Sequence, residues 1–389
     1  MEWSSHFSAR MARMRASEIR ELLKLLDRPD VISFAGGIPD PALFPAEELA
    51  AASQRILSDP ARARAALQYS VSEGYLPLRQ WIADYMGRRG LSCTADHVVI
   101  TNGSQQALDF LGKLFITPGD TILTASPTYL GALQAFNAYE ADYASLSEIA
   151  QVKAKFAYVM PDFENPTGTS LTLAEREVLI EASAAHSVPL VEDNAYDALR
   201  YDGEALPSLI ALAAQRAGGI DRAHVISCGT FSKSIAPALR LGWIVAPRPV
   251  IEKLVLINQA SDLHVSTFTQ MLMYDIVSRI FDAHTSKIRE VYKKRRDAML
   301  AALEKYMPDS VSWTRPEGGM FVWLTLPSGI DAAVLLQRAI ESAHVAFVPG
   351  AAFYPDRAGR NTLRMSFALN EPDRAAEGVR RLAGLIPKS

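Results

Sequence analysis

The chain has 389 residues, of which 49% are hydrophobic, and it carries a formal net charge of −3 at pH 7. A chain of this size buries a large core in two unequal lobes, and its charge argues against the basic surface that binds nucleic acid or an anionic membrane. Its two cysteines, Cys93 and Cys228, lie far apart, which argues against a disulfide framework or a metal site and indicates a reducing compartment.

The sequence contains no segment that predicts targeting or insertion into a membrane. Residues 1–30 carry charges throughout and lack the apolar stretch of a secretory signal. No apolar run reaches the roughly 18 residues of a membrane span. We therefore expect a cytoplasmic protein that binds neither a membrane nor nucleic acid.

The first elements in chain order are a helix over residues 16–26 and a segment, residues 33–39, that is too rich in glycine for a core strand. Short apolar runs then alternate with helical patterns from about residue 47 to residue 249. This alternation predicts a mostly parallel sheet with helices on both faces, which binds ligands at the carboxyl ends of its strands. The apolar runs cover residues 98–101, 121–125, 156–160, 188–192, 224–227 and 241–245.

A long helical pattern runs from about residue 268 past residue 296. It contains a basic cluster, Lys293 to Arg296, which we predict to form a solvated helix face. Three apolar runs beyond it predict strands of a smaller α+β lobe, at residues 319–324, 346–349 and 362–367. We therefore divide the chain into an amino-terminal helix and arm, a large domain and a small domain, with boundaries at residues 1–45, 46–270 and 271–389.

Polar motifs lie at the ends of four predicted strands, and each motif alone has an ordinary structural explanation. A solvated loop explains Lys233, a turn explains Asn165 before a proline, and the end of a strand explains Asp193. An N-cap at the start of a helix explains Ser104, which follows Gly103. The motifs gain weight together, because all of them fall at the predicted ligand-binding edge of the sheet.

As a set, these motifs resemble the fold-type I pyridoxal-phosphate (PLP) enzymes, and specifically the class I and II aminotransferases. The resemblance rests on Asn-Pro-Thr-Gly at residues 165–168, Asp-Asn-Ala-Tyr at 193–196, and Ser-Lys-Ser at 232–234 followed by Arg240, and it runs from about residue 33 to the carboxyl terminus. It implies a large domain with a mostly parallel seven-stranded sheet flanked by helices, and a smaller α+β domain. It also implies PLP as the cofactor and a homodimer with shared active sites.

The resemblance implies roles for five residues around the cofactor ring. Lys233 would form an imine with the cofactor aldehyde and, once released, carry a proton from the substrate Cα to the cofactor. Asp193 would face the pyridine nitrogen and keep the ring cationic. Tyr196 and Asn165 would donate to the phenolic oxygen, and Tyr129 would stack on the ring.

The cofactor phosphate would lie at the N-terminus of a helix beside a cation. Unpaired backbone N–H groups and the helix dipole favour an anion there, and an arginine adds a bidentate partner. Tyr69 resembles the tyrosine that crosses the dimer interface to the phosphate of the partner. The other phosphate ligands implied by the resemblance are Gly103, Ser104, Gln105, Thr230, Ser232 and Arg240.

The substrate side of the site is implied by fewer residues. Arg364 matches the arginine that clamps the substrate α-carboxylate, with Asn165 touching the same carboxylate and Gly37 bordering the pocket. Residues 16–22 and 33–41 resemble the 2-aminoadipate and kynurenine aminotransferases. In the aminoadipate enzymes, an arginine of the N-terminal helix pairs with a side-chain carboxylate and swings away for apolar side chains. Arg20 matches that position, although an exposed helix arginine paired with a glutamate explains it equally well.

The predicted function is transfer of an amino group between an amino acid and a 2-oxo acid, with 2-oxoglutarate and glutamate as one pair. The expected specificity is broad and includes 2-aminoadipate, leucine or aromatic amino acids. Two alternatives share the motifs. A PLP-dependent lyase or decarboxylase on the same fold uses the same cofactor residues, and a non-catalytic regulatory module of this fold follows a DNA-binding domain, for which the residues before residue 33 are too few.

Overall fold

The computed structural model of the chain describes residues 2–14 and 30–387, so the helix predicted over residues 16–26 lies outside the described residues. The strands are β1 (Ile32–Ser33), β2 (Val98–Thr101), β3 (Thr121–Thr124), β4 (Asp142–Ser145), β5 (Ala157–Val159), β6 (Leu190–Asp193), β7 (Val225–Thr230), β8 (Gly242–Val245), β9 (Ser312–Trp313), β10 (Phe321–Thr325), β11 (Val345–Ala346), β12 (Val348–Pro349) and β13 (Thr362–Ser366). The α-helices are α1 (Ala46–Leu57), α2 (Pro60–Leu67), α3 (Leu76–Arg88), α4 (Ser104–Phe115), α5 (Leu130–Asn137), α6 (Leu173–His186), α7 (Leu209–Ala217), α8 (Arg248–Ser261), α9 (Thr267–Tyr306), α10 (Ala332–Arg338) and α11 (Pro372–Ala383).

Seven strands form the large sheet, in the order β2-β8-β7-β6-β5-β3-β4. The strands from β7 to β4 pair in parallel, whereas β8 is antiparallel to both of its neighbours. The prediction of a mostly parallel sheet flanked by helices is therefore confirmed. Six of its strands correspond to the apolar runs of the sequence. The seventh, β4, was missed because this edge strand is only partly buried and its sequence, Asp-Tyr-Ala-Ser, contains no apolar run.

The large sheet is buried on both faces. Successive residues of its strands point to opposite sides, and both sets of side chains pack in hydrophobic clusters. Val99, Val191 and Ile226 belong to one hydrophobic cluster. Their neighbours along the same strands, such as Leu190 and Val225, belong to a second cluster on the other face. The polar motifs found in the sequence lie at or just beyond the carboxyl ends of β5, β6 and β7, at the edge of these two hydrophobic clusters.

A smaller antiparallel sheet, in the order β12-β13-β10-β9, and a parallel pair of β1 with β11 lie in the carboxyl-terminal part of the fold. The 40-residue helix α9 connects the two parts. Its first half, including Met273, packs in the second cluster, and its second half, including Met299, packs in the first. No helix in residues 2–14 and 30–387 is long and apolar enough to cross a membrane.

The basic cluster on α9 is solvated at Lys294, as predicted, but not at its two arginines, for which we also predicted a solvated face. Arg295 and Arg296 are each only 5% exposed. Both side chains contact carboxylates and backbone carbonyls of other segments. The prediction was wrong because a run of charges in the sequence indicates a polar face but does not reveal the partners that bury it.

Candidate active site

A cavity of about 220 Å³ lies at the carboxyl ends of the central strands, between the large sheet and the carboxyl-terminal part of the fold. Twelve of the residues singled out in the sequence line this cavity, although they come from eight separate segments of the chain. They are Gly37, Ser104, Gln105, Tyr129, Asn165, Asp193, Tyr196, Thr230, Ser232, Lys233, Arg240 and Arg364.

Lys233 lies three residues beyond β7, with its amine inside the cavity. Its Nζ donates a hydrogen bond to the carbonyl oxygen of Gly37 at 3.1 Å and lies 5.9 Å from the centroid of the Tyr196 ring. Burial lowers the pKa of Lys233 to about 8, and the positive charges of Arg364 and Arg240 act in the same direction. A larger fraction of this amine is therefore neutral and nucleophilic near pH 7 than for an exposed lysine.

Asp193 ends β6 and is 1% exposed. Its Oδ2 accepts a hydrogen bond from the Tyr158 hydroxyl at 2.8 Å, whereas its Oδ1 is buried and has no hydrogen-bond partner among the described residues. Burial raises the pKa of Asp193 to about 6, and the Tyr158 hydroxyl acts in the opposite direction. A buried acceptor without a donor is costly, so this oxygen is suited to an N–H group of a bound molecule.

Arg364, on β13, is buried beside two aromatic rings that sequence reasoning missed. Its guanidinium carbon lies 4.2 Å from the ring centroid of Phe321 and 5.0 Å from that of Phe353. Its Nη1 donates to Oδ1 of Asn165 at 2.7 Å and its Nη2 to the carbonyl oxygen of Ala35 at 3.0 Å, whereas Nε has no partner among the described residues.

No carboxylate in the described part of the chain forms an ion pair with Arg364, and burial lowers the pKa of its guanidinium to about 10. A buried arginine that lacks a counter-charge is costly unless a ligand supplies one. The guanidinium is therefore suited to binding a carboxylate.

One end of the cavity combines a helix N-terminus with an arginine. Gly103 precedes α4 with φ of +78°, and a Cβ atom there would lie 2.6 Å from Nη2 of Arg240. The close approach of the Arg240 guanidinium to the N-terminus of α4 thus depends on a glycine. Thr230 donates to the Ser232 hydroxyl at 2.9 Å. N–H groups, hydroxyls and a guanidinium form a cradle for an anion such as phosphate.

Three aromatic or amide side chains complete the wall of the cavity. The Tyr129 ring folds over Gly131, where a Cβ atom would lie 2.4 Å from Cζ of the ring. Gln105 donates to the carbonyl oxygen of Gly131 at 2.8 Å. Burial raises the pKa of Tyr129 to about 12, and it also raises the pKa of Tyr196. Both phenols are therefore protonated near neutral pH and able to donate.

Two of the predicted residues do not line the cavity, and a third lies outside the described residues. Gly103 lies behind Arg240, as its close approach shows. Tyr69 is 78% exposed and packs edge to face against His264, with ring centroids 5.9 Å apart. Arg20 lies outside the described residues. The lining residues that were not predicted are apolar and carry no chemical signal of their own: Ile38, Met160, Ala195 and Pro237.

The cavity fits PLP, judged from its own atoms. The buried amine of Lys233, whose pKa is lowered, suits the aldehyde of the cofactor. The unpartnered Oδ1 of Asp193 suits a protonated pyridine nitrogen. The cradle formed by Arg240 and the N-terminus of α4 suits the phosphate. The unpaired guanidinium of Arg364 suits the carboxylate of an amino acid held next to the cofactor.

Comparisons with known proteins agree with this chemistry. The profile of the family described as aminotransferase class I and II matches residues 29–382. The chain is 41% identical to aromatic-amino-acid aminotransferase 1 of Thermococcus litoralis, over 99% of this chain and 95% of that protein. It is 42% identical to the 2-aminoadipate transaminase of Thermus thermophilus, over 98% of this chain and 96% of that protein.

A solved structure extends the likeness to the fold. It is the alpha-aminoadipate aminotransferase of Thermus thermophilus complexed with N-(5'-phosphopyridoxyl)-L-leucine, with a TM-score of 0.90 and 40% identity, covering 99% of this chain and 98% of that chain. Fold, cavity and near full-length similarity lead to one conclusion. The chain belongs to the class I and II aminotransferases of fold type I, and it is a PLP-dependent enzyme that moves an amino group between an amino acid and a 2-oxo acid.

Proposed function

We propose that the cavity is the catalytic site and that Lys233 is its central residue. The observation that carries this proposal is the buried amine of Lys233, 3.1 Å from the Gly37 carbonyl and in the same cavity as the unpartnered Oδ1 of Asp193. When bound, PLP supplies an aldehyde for the amino group and a ring that accepts electrons from the substrate Cα. Lys233 would hold the cofactor through its amine, and in its free form it would take the proton from the substrate Cα at its Nζ.

The other residues hold the reacting groups in place. Oδ1 of Asp193 would accept a hydrogen bond from the ring nitrogen of the cofactor, while the Tyr158 hydroxyl donates to Oδ2. The proximity of a carboxylate favours the protonated, cationic ring. Tyr196 and Asn165 donate to the phenolic oxygen, and Tyr129 covers the ring and excludes water. The phosphate is held by the backbone at Gly103, Ser104 and Gln105, the Thr230 and Ser232 hydroxyls, and Arg240.

Arg364 and Asn165 bind the substrate α-carboxylate, and Gly37 borders it. A planar guanidinium binds a carboxylate through two parallel hydrogen bonds, which a lysine ammonium cannot reproduce. We therefore expect Arg364→Lys to lower kcat/KM for amino acids by about 10²- to 10³-fold, mainly through a higher KM. Steady-state kinetics with glutamate measure this effect, and the absorption spectrum of the bound cofactor serves as the control for an intact site. An unchanged KM would contradict the assignment.

We infer that the amino-acid specificity is broad and that glutamate and 2-oxoglutarate form one substrate pair. The relatives described above are named for 2-aminoadipate and for aromatic amino acids, which differ in side-chain charge. The swinging role of Arg20 would reconcile these substrates, although that residue lies outside the described residues. An apolar pocket discriminates only weakly among apolar side chains, so several amino acids are expected to react.

A screen of half-reactions tests the specificity and the role of Arg20. The PLP form is mixed with each amino acid, and the rate of spectral conversion to the amine form is ranked. We expect Arg20→Ala to slow 2-aminoadipate and glutamate by about 10- to 100-fold and leucine by less than about threefold, because only the acidic side chains lose an ion pair. Equal losses for both classes would remove Arg20 from the site. In the complete reaction with 2-oxoglutarate, release of ammonia in place of stoichiometric glutamate would instead favour a lyase.

We also propose a homodimer in which Tyr69 reaches the phosphate of the partner subunit. Tyr69 does not line the cavity of its own chain, and exposed apolar side chains lie close to it in sequence. A concentration of exposed apolar residues is typical of an interaction surface. Tyr69 itself is 78% exposed, and the exposed fractions of the large apolar residues near it in sequence are 74% for Leu67, 55% for Val71 and 58% for Leu76.

The shared site is tested by mixing two defective variants. We expect Tyr69→Phe to weaken PLP binding by about tenfold, the size of one hydrogen bond to a charged group. A hybrid dimer of Tyr69→Phe and Lys233→Ala chains contains one site with both native residues. Mixing the two variants should therefore restore PLP affinity at the site that carries Lys233. The absence of any recovery in a verified hybrid dimer would contradict the sharing of Tyr69.

The arrangement of the two sheets supports a division of the chain into domains. We propose the domain division at residues 1–45, 46–270 and 271–389, supported by the separation of the large sheet, whose strands end at Val245, from the small antiparallel sheet, which begins at Ser312. The helix α9 spans the boundary between the larger and the smaller domain.

We also propose a cytoplasmic location, supported by the free thiols of Cys93 and Cys228.

A further inference from the structure

Arg295 is a buried cation outside the cavity for which the chemistry above gives no role. It lies on α9 and is 5% exposed, next to the equally buried Arg296. Burying a guanidinium is costly unless several partners compensate it. Its partners therefore indicate what it does in the fold.

The partners of Arg295 come from two different parts of the chain. Its Nη2 forms an ion pair with Oδ2 of Asp40 at 2.7 Å, and the same nitrogen also bonds the Glu371 carboxylate. Its Nη1 donates to the carbonyl oxygen of Ala368. Ala368 and Glu371 follow β13, the strand that carries Arg364, whereas Asp40 precedes the large domain. Arg295 thus joins the amino-terminal arm to the part of the fold that bears the carboxylate clamp.

Asp40 ends a short segment, residues 36–40, which we call the arm segment. A second contact fixes its end on the same helix, because the backbone N–H of Asp40 donates to the Tyr292 hydroxyl at 3.0 Å. The carboxylate of Asp40 also accepts from the backbone N–H of Ala42 at 2.9 Å. The end of the arm segment is therefore held by α9 at two points, Tyr292 and Arg295.

The other end of the arm segment enters the cavity. Gly37 accepts the hydrogen bond from Lys233 at 3.1 Å, and a Cβ atom at Gly37 would lie 2.8 Å from the Phe321 ring. Phe321 therefore leaves no space for a side chain at residue 37. A displacement of Asp40 would move the Gly37 carbonyl relative to the Lys233 amine, since only two residues separate Gly37 from Asp40.

We infer that Arg295 is a positioning residue for Lys233 and acts through Asp40 and the Gly37 carbonyl. The free amine of Lys233 needs a fixed direction to reach the substrate Cα, and the Gly37 oxygen supplies the hydrogen bond that sets it. A shift of about 1 Å at a reacting group costs on the order of 100-fold in rate. This inference rests on the role proposed for Lys233, but the position of the arm segment is measurable without it.

Arg296 provides a matched control on the same helix. It is buried to the same degree, but its side chain contacts Asp202, Asp297 and the carbonyl oxygen of Pro316, none of which lines the cavity. The experiment compares Arg295→Gln with Arg296→Gln. Hydrogen exchange of the peptide containing residues 36–40 is measured in the cofactor-free protein. In the PLP-loaded enzyme, kcat, KM and the Cα-deuterium isotope effect are measured with glutamate.

We expect Arg295→Gln to accelerate exchange in the arm segment and to lower kcat by about 10- to 100-fold, with a smaller change in KM and a larger isotope effect. The isotope effect rises because a misplaced base makes removal of the Cα proton more rate-limiting. Arg296→Gln should leave kcat within about threefold of the native value. A similar loss in both variants, or an unchanged isotope effect in Arg295→Gln, overturns the inference.

A second variant keeps the test decisive if Arg295→Gln fails to fold. Asp40→Asn keeps an oxygen for the Ala42 N–H group and removes the charge that pairs with Arg295. It should reproduce the faster exchange and the larger isotope effect. Native exchange rates and native kcat in Asp40→Asn overturn the inference. If Lys233→Ala kept the native rate of transamination while the exchange result held, the proposed role of Lys233 would fail, and not the anchoring of the arm segment.

Discussion

Replacing Lys233 with alanine is expected to lower kcat for transamination by at least about 10⁴-fold. The variant loses the cavity amine to which we assign both attachment of the cofactor and transfer of the Cα proton, whereas Arg240 and Arg364 remain in the cavity wall. Single-turnover kinetics of the half-reaction with glutamate measure the loss. Cofactor binding, followed by fluorescence or dialysis, should persist without a covalent bond.

Chemical rescue separates lost chemistry from lost structure in the Lys233→Ala variant. A small primary amine such as methylamine fits the space that the side chain leaves and can act as a base in its place. We expect added amine to raise the rate in proportion to its concentration and to its neutral fraction, so the rescue should increase with pH. Activity within about tenfold of the native rate without added amine would remove Lys233 from its central role.

Replacing Asp193 with asparagine is expected to have the second largest effect, a fall in kcat of about 10²- to 10³-fold. The carboxylate stabilises positive charge at the ring nitrogen while electrons arrive from the substrate Cα, and a neutral amide does not. The same measurement applies, a single-turnover half-reaction with glutamate. Native activity in Asp193→Asn would show that this acid does not face the ring nitrogen.

The same substitution should stabilise the cofactor-free protein. Burial raises the pKa of Asp193 to about 6 in the folded chain, above its ordinary value of 3.8. The folded state therefore binds more protons than the unfolded state between these values, so stability falls as the pH rises through this window, and the cost is fully present above about pH 6. Asp193→Asn removes a cost on the order of 2 to 3 kcal/mol.

Thermal unfolding of the cofactor-free forms tests this trade of stability for function. The melting temperature of Asp193→Asn should exceed that of the native chain above about pH 6, and the difference should shrink as the pH falls toward 3.8. A gain in stability together with a loss of activity is the pattern expected of a residue kept for catalysis. A variant that is less stable at every pH would contradict the burial argument.

The residues of the cavity that could be predicted from the sequence are polar or charged side chains at the ends of predicted strands. Lys233, Asp193 and Asn165 follow apolar runs, and parallel strands bring their carboxyl ends together, so residues distant in sequence meet in one cavity. Their assigned roles remain predictions. The large sheet was predicted for the same reason, except for the edge strand β4, whose partial burial leaves no apolar run.

Residues that act through packing gave no such signal. Phe321 and Phe353, which flank Arg364, have the appearance of ordinary core residues in the sequence. Tyr158 lies in a buried strand, where a tyrosine hydroxyl usually finds a hydrogen-bond partner. The sequence does not show that this partner is Asp193. Arg295 was wrongly predicted to be solvated. Its partner Asp40 lies about 250 residues away in the sequence, and such a pairing arises only from the tertiary fold.

The measurement that tests the account most directly is the location of the covalent bond between the enzyme and its cofactor. Borohydride converts an imine between a lysine and PLP into a stable amine, and digestion followed by mass spectrometry identifies the modified residue. The account predicts one phosphopyridoxyl group per chain, on the peptide that contains Lys233. Attachment to another lysine, or no attachment in an enzyme that is active with PLP, would contradict it.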